Sequence, residues 1–335
     1  MRVGIIGTGA IAHKHALAYR NIGYQIVACA GLHADRGREF ASKYGCEFFD
    51  HWRDVCRAPL DFVDVLTFPD FRLEAVEECA KHGKHVQVQK PMAIEPATAR
   101  RMIEVAREAG IVLGVVSQHR FDDASIFLKR GIDQGRLGKI IEADAYVKWW
   151  RSDEYYSRAV KGSWAVEGGG ALINQGIHQA DLLLWFAGCV REVSGEWQLG
   201  AAHRIESEDV VNAVIRYRSG ATGVIQAATA IRPGYPERLE IHGSKGSATI
   251  TGDKLTGWDV EGEGDAPVES AVMSGAADPM AISVKSFERQ FLDFGAAIRE
   301  GRAPLVSGEE GYRALGLVDA IYRSCRERRR VTIDE

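Results

Sequence analysis

Short apolar runs alternate with amphipathic stretches through the first 120 residues. Residues 3–6, 25–30, 62–67, 85–89 and 112–117 each read as a buried strand. Between them, 13–22, 36–44, 72–82 and 97–109 read as helices, the last three closing on Gly45, Gly83 and Gly110. This alternation predicts β-α-β units. Right-handed crossovers then place helices on both faces of a doubly wound parallel sheet.

The rhythm changes after about residue 120. Residues 140–150 partly alternate, as a half-buried strand does. Residues 210–217 and 223–230 flank a turn at Arg218-Ser219-Gly220, and 238–242 and 247–251 flank Gly243-Ser244-Lys245-Gly246. Both are hairpin signals and imply an antiparallel sheet. A helix over 171–186 is introduced by Gly168-Gly169-Gly170, residues 262–279 read as a loop, and helices near 287–299 and 309–326 follow. Two domains are expected, over 1–120 and 121–335.

Composition narrows the function classes. The chain has 335 residues, 46% of them apolar, and a net charge of −4. That balance argues against nucleic acid or an anionic membrane as the main partner. The basic run 326–330 reads as a solvated helix end. No apolar stretch approaches the roughly 20 residues that span a bilayer. The first residues run straight into a strand without the features of a secretory signal. The six cysteines are scattered with no C-x-x-C pair, which predicts reduced thiols in a cytoplasmic protein.

The chemistry begins at Gly7-Thr8-Gly9-Ala10-Ile11-Ala12, a G-x-G-x-x-A loop between the first strand and first helix. Gly7 allows the tight turn, Gly9 lets the backbone approach a pyrophosphate, and Ala12 permits close helix–strand packing. The helix N-terminus, at Ala10 and Ile11, offers N–H groups to phosphates. The second strand should end on an acid that binds the adenosine ribose. Gly31 stands there, with His33, Asp35 and Arg36 just beyond. Either NAD(H) or NADP(H) is therefore compatible, with relaxed preference.

With these features the chain resembles the Gfo/Idh/MocA family, named for glucose-fructose oxidoreductase, inositol dehydrogenase and a rhizopine-catabolism protein. Val63-Asp64-Val65-Leu66-Thr67-Phe68-Pro69 looks like the family's third-strand segment. Gly83-Lys84-His85-Val86-Gln87-Val88-Gln89-Lys90-Pro91 looks like its G-K-H-V-x-x-E-K-P signature. The segment from Gly168 to Asp181 looks like its glycine-led catalytic helix. The resemblance implies an N-terminal Rossmann domain and a C-terminal α/β domain with a large open, mostly antiparallel sheet. It implies hydride exchange between nicotinamide and a carbinol carbon, with Lys90 and His178 catalytic. Thr67, Pro69, Arg72, Gln89 and Lys90 would border the cofactor.

Physical chemistry agrees with those roles. Alcohol oxidation needs a base for the hydroxyl proton, and histidine titrates near neutrality. A lysine beside the nicotinamide could hold the reacting oxygen. Asn174, His178 and Asp181 fall at i, i+4 and i+7 on a regular helix, one polar stripe on an apolar helix. His178 and Asp181 alone are too few ligands for a metal, and none is expected. The chain departs from the family pattern at Gln89 (usually Glu), Asn174 (often Asp), Arg72 (often His) and Gly31.

Trp150, Arg151, Tyr156 and Trp164 precede the glycine triplet, and Gln118, His119 and Arg120 end the last strand of the first domain. Aromatic faces stack on sugar rings and arginine binds hydroxyls or anions. With Asn174, His178 and Asp181 these residues are expected to bind a sugar-like small molecule. A sugar, glycoside or cyclitol dehydrogenase is the leading expectation, as a homodimer or homotetramer. A glycoside-cleaving enzyme or epimerase with a transient keto intermediate is the alternative, as is a non-enzymatic sensor on the same fold.

Overall fold

The computed structural model describes residues 1–158, 160–264, 274, 276 and 283–333. In chain order come β1 (Arg2–Ile6), α1 (Ala10–Asn21), β2 (Gln25–Ala30), α2 (Ala34–Tyr44), β3 (Glu47–Phe48), α3 (Trp52–Arg57) and β4 (Phe62–Val65). These are followed by α4 (Arg72–Lys81), β5 (His85–Val88), α5 (Pro96–Glu108), β6 (Leu113–Val115) and α6 (Asp123–Asp133). Then come β7 (Ile140–Lys148), α7 (Asp153–Tyr156), α8 (Trp164–Glu167), α9 (Ile177–Ala187), β8 (Val190–Leu199), β9 (Glu208–Tyr217) and β10 (Thr222–Ala228). Last are β11 (Arg238–Gly243), β12 (Gly246–Thr251), β13 (Lys254–Val260), α10 (Val284–Glu300), α11 (Gly308–Glu327) and β14 (Val331–Thr332). The expected loop over 262–279 lies largely outside the described residues.

The chain divides into two compact units. One is Met1–Gln118 with Ser283–Tyr312, the other His119–Ile282 with Arg313–Glu335. The first unit is built on a six-stranded sheet in the order β3-β2-β1-β4-β5-β6, parallel throughout. Order reverses at β1, which pairs with β2 on one side and β4 on the other. The strands are nearly continuous apolar runs because both faces are covered.

One assignment made from the sequence needs correction. Residues 283–312 belong with the first unit, although the division at 120 gave them to the second. The reason is the apolar stripe of α10. Phe287, Phe291 and Phe294 are 0–1% exposed. Phe291 stacks on Tyr19 at 4.3 Å and Phe294 meets Phe62 edge-on at 5.2 Å. Gln290 completes the attachment: its Oε1 accepts from Ser117 N–H and its Nε2 donates to the Val115 carbonyl. Periodicity identified a helix here but could not say which sheet it covers.

The second unit holds an eight-stranded sheet, order β13-β12-β11-β7-β10-β9-β8-β14. Both expected hairpins form, β9–β10 and β11–β12. The sheet is mixed, because β7 and β10 pair in parallel. In β9, Val211, Ala213, Ile215 and Tyr217 face inward while Asn212, Val214 and Arg216 face out. No helix among the described residues is long and apolar enough to cross a membrane.

Candidate active site

The loops after β1 and β4 flank the reversal in strand order, where open parallel sheets bind ligands. Gly7 has φ 104°. A Cβ there would sit 2.9 Å from the Leu66 carbonyl carbon, so the turn and the neighbouring loop both demand glycine. Gly9 differs. It is the N-cap of α1 at φ −76°, a conformation any residue adopts. A Cβ on it would meet nothing within 4 Å. The fold does not itself require glycine there, which leaves open space in front of the helix N-terminus. No side chain caps α1 and its first turn holds no acid, so its N–H groups and positive end suit an anion. Ala12 is fully buried against the sheet. Thr67 Oγ1, at the facing strand end, is buried and finds no hydrogen-bond partner among the described residues. These residues fit a dinucleotide pyrophosphate.

At the adenosine end, a Cβ on Gly31 would lie 2.4 Å from Thr8 Oγ1. The Thr8 hydroxyl thus fills the space where an acidic side chain would begin. Leu32, 92% exposed, and His33, which N-caps α2 without a side-chain bond, border the same strand end. Gly31→Asp alone must displace Thr8. Combined with Thr8→Ala, it is expected to shift the ratio of NAD to NADP affinity toward NAD by about tenfold or more, through repulsion of the 2′-phosphate. Titration calorimetry with both dinucleotides checks this. An unchanged ratio would place the adenosine elsewhere.

After β5 the chain leaves the sheet through Gln89, Lys90 and Pro91, with a cis Lys90–Pro91 peptide. Arg72, expected beside the cofactor, is 3% exposed and turned inward. Its Nε donates to the Thr67 carbonyl at 3.0 Å, and its Nη1 donates to the carbonyls of Gln89 and Pro91. Burial pushes this guanidinium down to about 9, against the pull of Asp70 and Asp64. A buried guanidinium satisfies itself on whatever acceptors are in reach. Here these are backbone carbonyls, and Arg72 ties the Thr67 loop to both sides of Lys90. Pro69 is buried in the short 3₁₀ turn that follows Thr67.

In the second unit the glycine triplet is explained by what crosses it. A Cβ on Gly170 would fall 1.9 Å from the Glu208 carbonyl oxygen. The Glu208 side chain accepts from Gly170 N–H at 2.7 Å, from Leu172 N–H at 2.8 Å and from Tyr322 O–H at 2.7 Å. Burial pushes its carboxyl up to about 7 while these donors hold it down. Glu208 therefore caps the start of the helical segment that carries His178. That segment departs from the single regular helix expected. Leu172–Gly176 is a π-helical turn leading into α9, a feature frequent at functional sites.

The π turn changes the polar stripe. Asn174 Nδ2 donates back to the Gly169 carbonyl. Asp181 takes a bidentate ion pair from Arg120, at 2.6 and 2.8 Å, with both side chains almost fully buried. Two residues expected to touch substrate are thus each other's partners. The His178 and His119 rings meet nearly at right angles, their centroids 4.9 Å apart. His119 Nδ1 lies 2.7 Å from Asp122 Oδ2. Asp122 is the N-cap of α6 but makes no cap bond with its side chain; it orients His119 instead. Gln118 is buried at the end of the first unit.

The expected aromatic set separates into two clusters. Trp150 has the Arg232 guanidinium 3.8 Å above its ring and His203 at 5.1 Å. His203 in turn meets Tyr156 at 4.6 Å, and Tyr156 contacts Tyr155. Gln175 Nε2 donates to the Tyr155 hydroxyl, which ties this cluster to the π turn before His178. Tyr156 and Thr229 share a hydrogen bond at 2.7 Å, and burial raises the Tyr156 phenol. Arg151 is buried and donates to the Ala276 carbonyl. Trp164 stands in the other cluster, with Trp197, Tyr322 and Arg326, and donates to the Glu206 carbonyl.

Gln175, His203 and Glu208 did not stand out in the sequence. His119, read with Gln118 and Arg120 at the end of the last expected strand, is set against His178. Glu208 carried no signal, because its partners lie 36 to 38 residues upstream and at Tyr322.

A Rossmann unit with a phosphate cradle and a strand-end lysine, joined in one chain to a mixed-sheet unit with a glycine-led histidine helix, defines a nicotinamide-dependent oxidoreductase. Residues 1–117 match the oxidoreductase family with an NAD-binding Rossmann fold, and residues 126–249 match the GFO/IDH/MocA C-terminal domain. The chain belongs to the Gfo/Idh/MocA family. It is 29% identical to a myo-inositol 2-dehydrogenase of Thermotoga maritima, over all of this chain and 99% of the relative. It is 28% identical to a D-apiose dehydrogenase of Paraburkholderia graminis, over 98% of this chain and 88% of the relative. Among solved structures, the WlbA dehydrogenase from Bordetella pertussis in complex with NADH and UDP-GlcNAcA superposes with a TM-score of 0.90. It is 28% identical and covers 100% of this chain and 98% of that one.

Proposed function

We propose that this chain is an NAD-dependent dehydrogenase acting on a ring hydroxyl of a sugar, glycoside or cyclitol. One observation carries the reading: the same chain holds an open pyrophosphate cradle at Gly7–Ala12 with Lys90 at a nearby strand end, and a helix anchored by Glu208 that carries His178. Bound NAD supplies the hydride acceptor. His178 takes the hydroxyl proton, and Lys90 orients the oxygen and stabilises its developing charge. The Asp122-oriented His119 ring packs at a near right angle against His178. Trp150, Tyr155 and Tyr156 supply apolar faces for a ring, and Gln175 and Asn174 supply polar contacts. The test is a panel of sugars, inositols and sugar acids with NAD and NADP, read as cofactor absorbance. Stoichiometric reduced cofactor supports a dehydrogenase. Product without its accumulation would indicate the cycling glycoside-cleaving or epimerising alternative, and no turnover would favour a sensor.

The protein is further proposed to be cytoplasmic and a homodimer or homotetramer, with no nucleic-acid or membrane partner. Six free cysteines, four of them buried, suit a reducing compartment, which cell fractionation checks. The outward face of the second unit's sheet exposes Ile141 and Val214 at 56% and 57%, and such a face is commonly covered by a second copy. Sedimentation at micromolar concentration should find two or four chains. A monomer would contradict this.

A further inference from the structure

Beneath Lys90 lies a buried row of polar groups that the reaction does not use directly. His15, on α1, is 0% exposed, and its Nδ1 lies 2.6 Å from Asp64 Oδ2 on β4. The Tyr19 hydroxyl donates to the same oxygen at 2.8 Å. Burial and Asp64 together hold the Tyr19 phenol well above its ordinary value, so it remains a donor. On the other side of the ring, Gln89 Nε2 is 3.2 Å from His15 Nε2. Gln89 Oε1 accepts the backbone N–H of Lys90 at 2.8 Å. Phe287 and Phe291 close over the imidazole at 5.0 and 4.9 Å.

Only one hydrogen arrangement satisfies this row. The Lys90 N–H is a donor, so the Gln89 amide must turn its oxygen toward it and its NH₂ toward His15. His15 Nε2 then accepts, and Nδ1 carries the hydrogen given to Asp64. A glutamate in place of Gln89 would face the Nε2 lone pair with a second acceptor. The row could then hold only by taking up one more proton, on the introduced carboxylate or on His15.

We propose that Asp64, His15 and Gln89 form a positioning relay for Lys90, and that Gln89 is the side chain this relay requires. Building on the function proposed above, the relay fixes the main chain that presents the lysine to the reacting oxygen. Arg72 holds the same segment from its carbonyls. His15 and Gln89 are positioning residues, not catalytic ones. The charged and titratable groups seen at the relay among the described contacts are Asp64 from β4, Tyr19 from α1 and Arg72 from α4, while α10 sets Phe287 and Phe291 against the ring.

The test has two arms. In wild-type protein labelled with ¹⁵N-histidine, His15 should show a protonated Nδ1 and an unprotonated Nε2 at neutral pH, whether or not a substrate is known. A protonated Nε2 would overturn the proposal. In the second arm, Gln89→Ala and His15→Ala should lower kcat by up to about 10²-fold, the scale of a 1 Å misplacement, and change dinucleotide affinity far less. Gln89→Glu needs the extra proton, so its kcat should fall as pH rises, adding a descending limb that wild type lacks. A Gln89→Glu profile identical to wild type would also overturn the proposal. If that variant does not fold, the wild-type spectrum decides alone. Failure of every sugar in wild type would count against the proposed function and leave the tautomer seen in the spectrum as the test of the relay.

Discussion

His178→Ala and Lys90→Ala are each expected to lose about 10²–10⁴ of turnover, the usual contribution of a positioned acid–base group. Both should still bind dinucleotide, because the pyrophosphate cradle is built from the α1 N-terminus and the Gly7 turn. In oxidation the base must be unprotonated before the hydroxyl gives up its proton, so wild-type kcat should rise with pH and His178→Ala should lose that ascending limb. The proposed function has both groups act on one oxygen, which predicts a double variant little worse than the poorer single variant. Steady-state kinetics on the substrate found in the panel, with calorimetry for the dinucleotide, checks all of this. Near-normal turnover in either variant would remove that residue from the chemistry.

Asp181→Ala is expected to destabilise the protein by about 3–5 kcal/mol, because it leaves the Arg120 guanidinium buried without its carboxylate. Arg120 and Asp181 side chains are 1% and 4% exposed and joined by two short bonds. The guanidinium also lies 5.5 Å over the Trp185 ring, one turn further along α9. Replacing both partners by apolar residues of similar volume, as in Arg120→Met with Asp181→Leu, should recover most of the loss, since the desolvation cost disappears with the charges. Urea unfolding of the single and double variants measures the coupling. If Asp181→Ala keeps full stability and instead raises KM, the pair is a substrate contact, as the sequence had suggested. Since Asp181 lies three residues after His178, the single variant should also lower turnover by disturbing α9.

The local pattern of the chain was enough to identify β1, β2, β4, β5 and β6 as buried strands and to put Gly7, Lys90 and His178 at their ends or on the glycine-led helix. Burial and exposure repeat with the period of the element itself, and a turn that needs glycine shows it at one position. Strands β8 and β13 were not seen, because Val-Arg-Glu-Val-Ser-Gly-Glu-Trp and Lys-Leu-Thr-Gly-Trp carry few branched apolar residues. What the local pattern cannot carry is the identity of a distant partner. Phe287, Phe291 and Phe294 form the same stripe whichever sheet they cover, and only the folded chain sets them on Tyr19 and Phe62. Arg120 and Asp181 are 61 residues apart, His15 and Asp64 are 49 apart, and Gly170 and Glu208 are 38 apart. In each case residue type announced a polar group without saying whether it would meet a ligand or another side chain. Tertiary structure decided that, because a buried charge or donor must be satisfied by whatever the fold brings within about 3 Å.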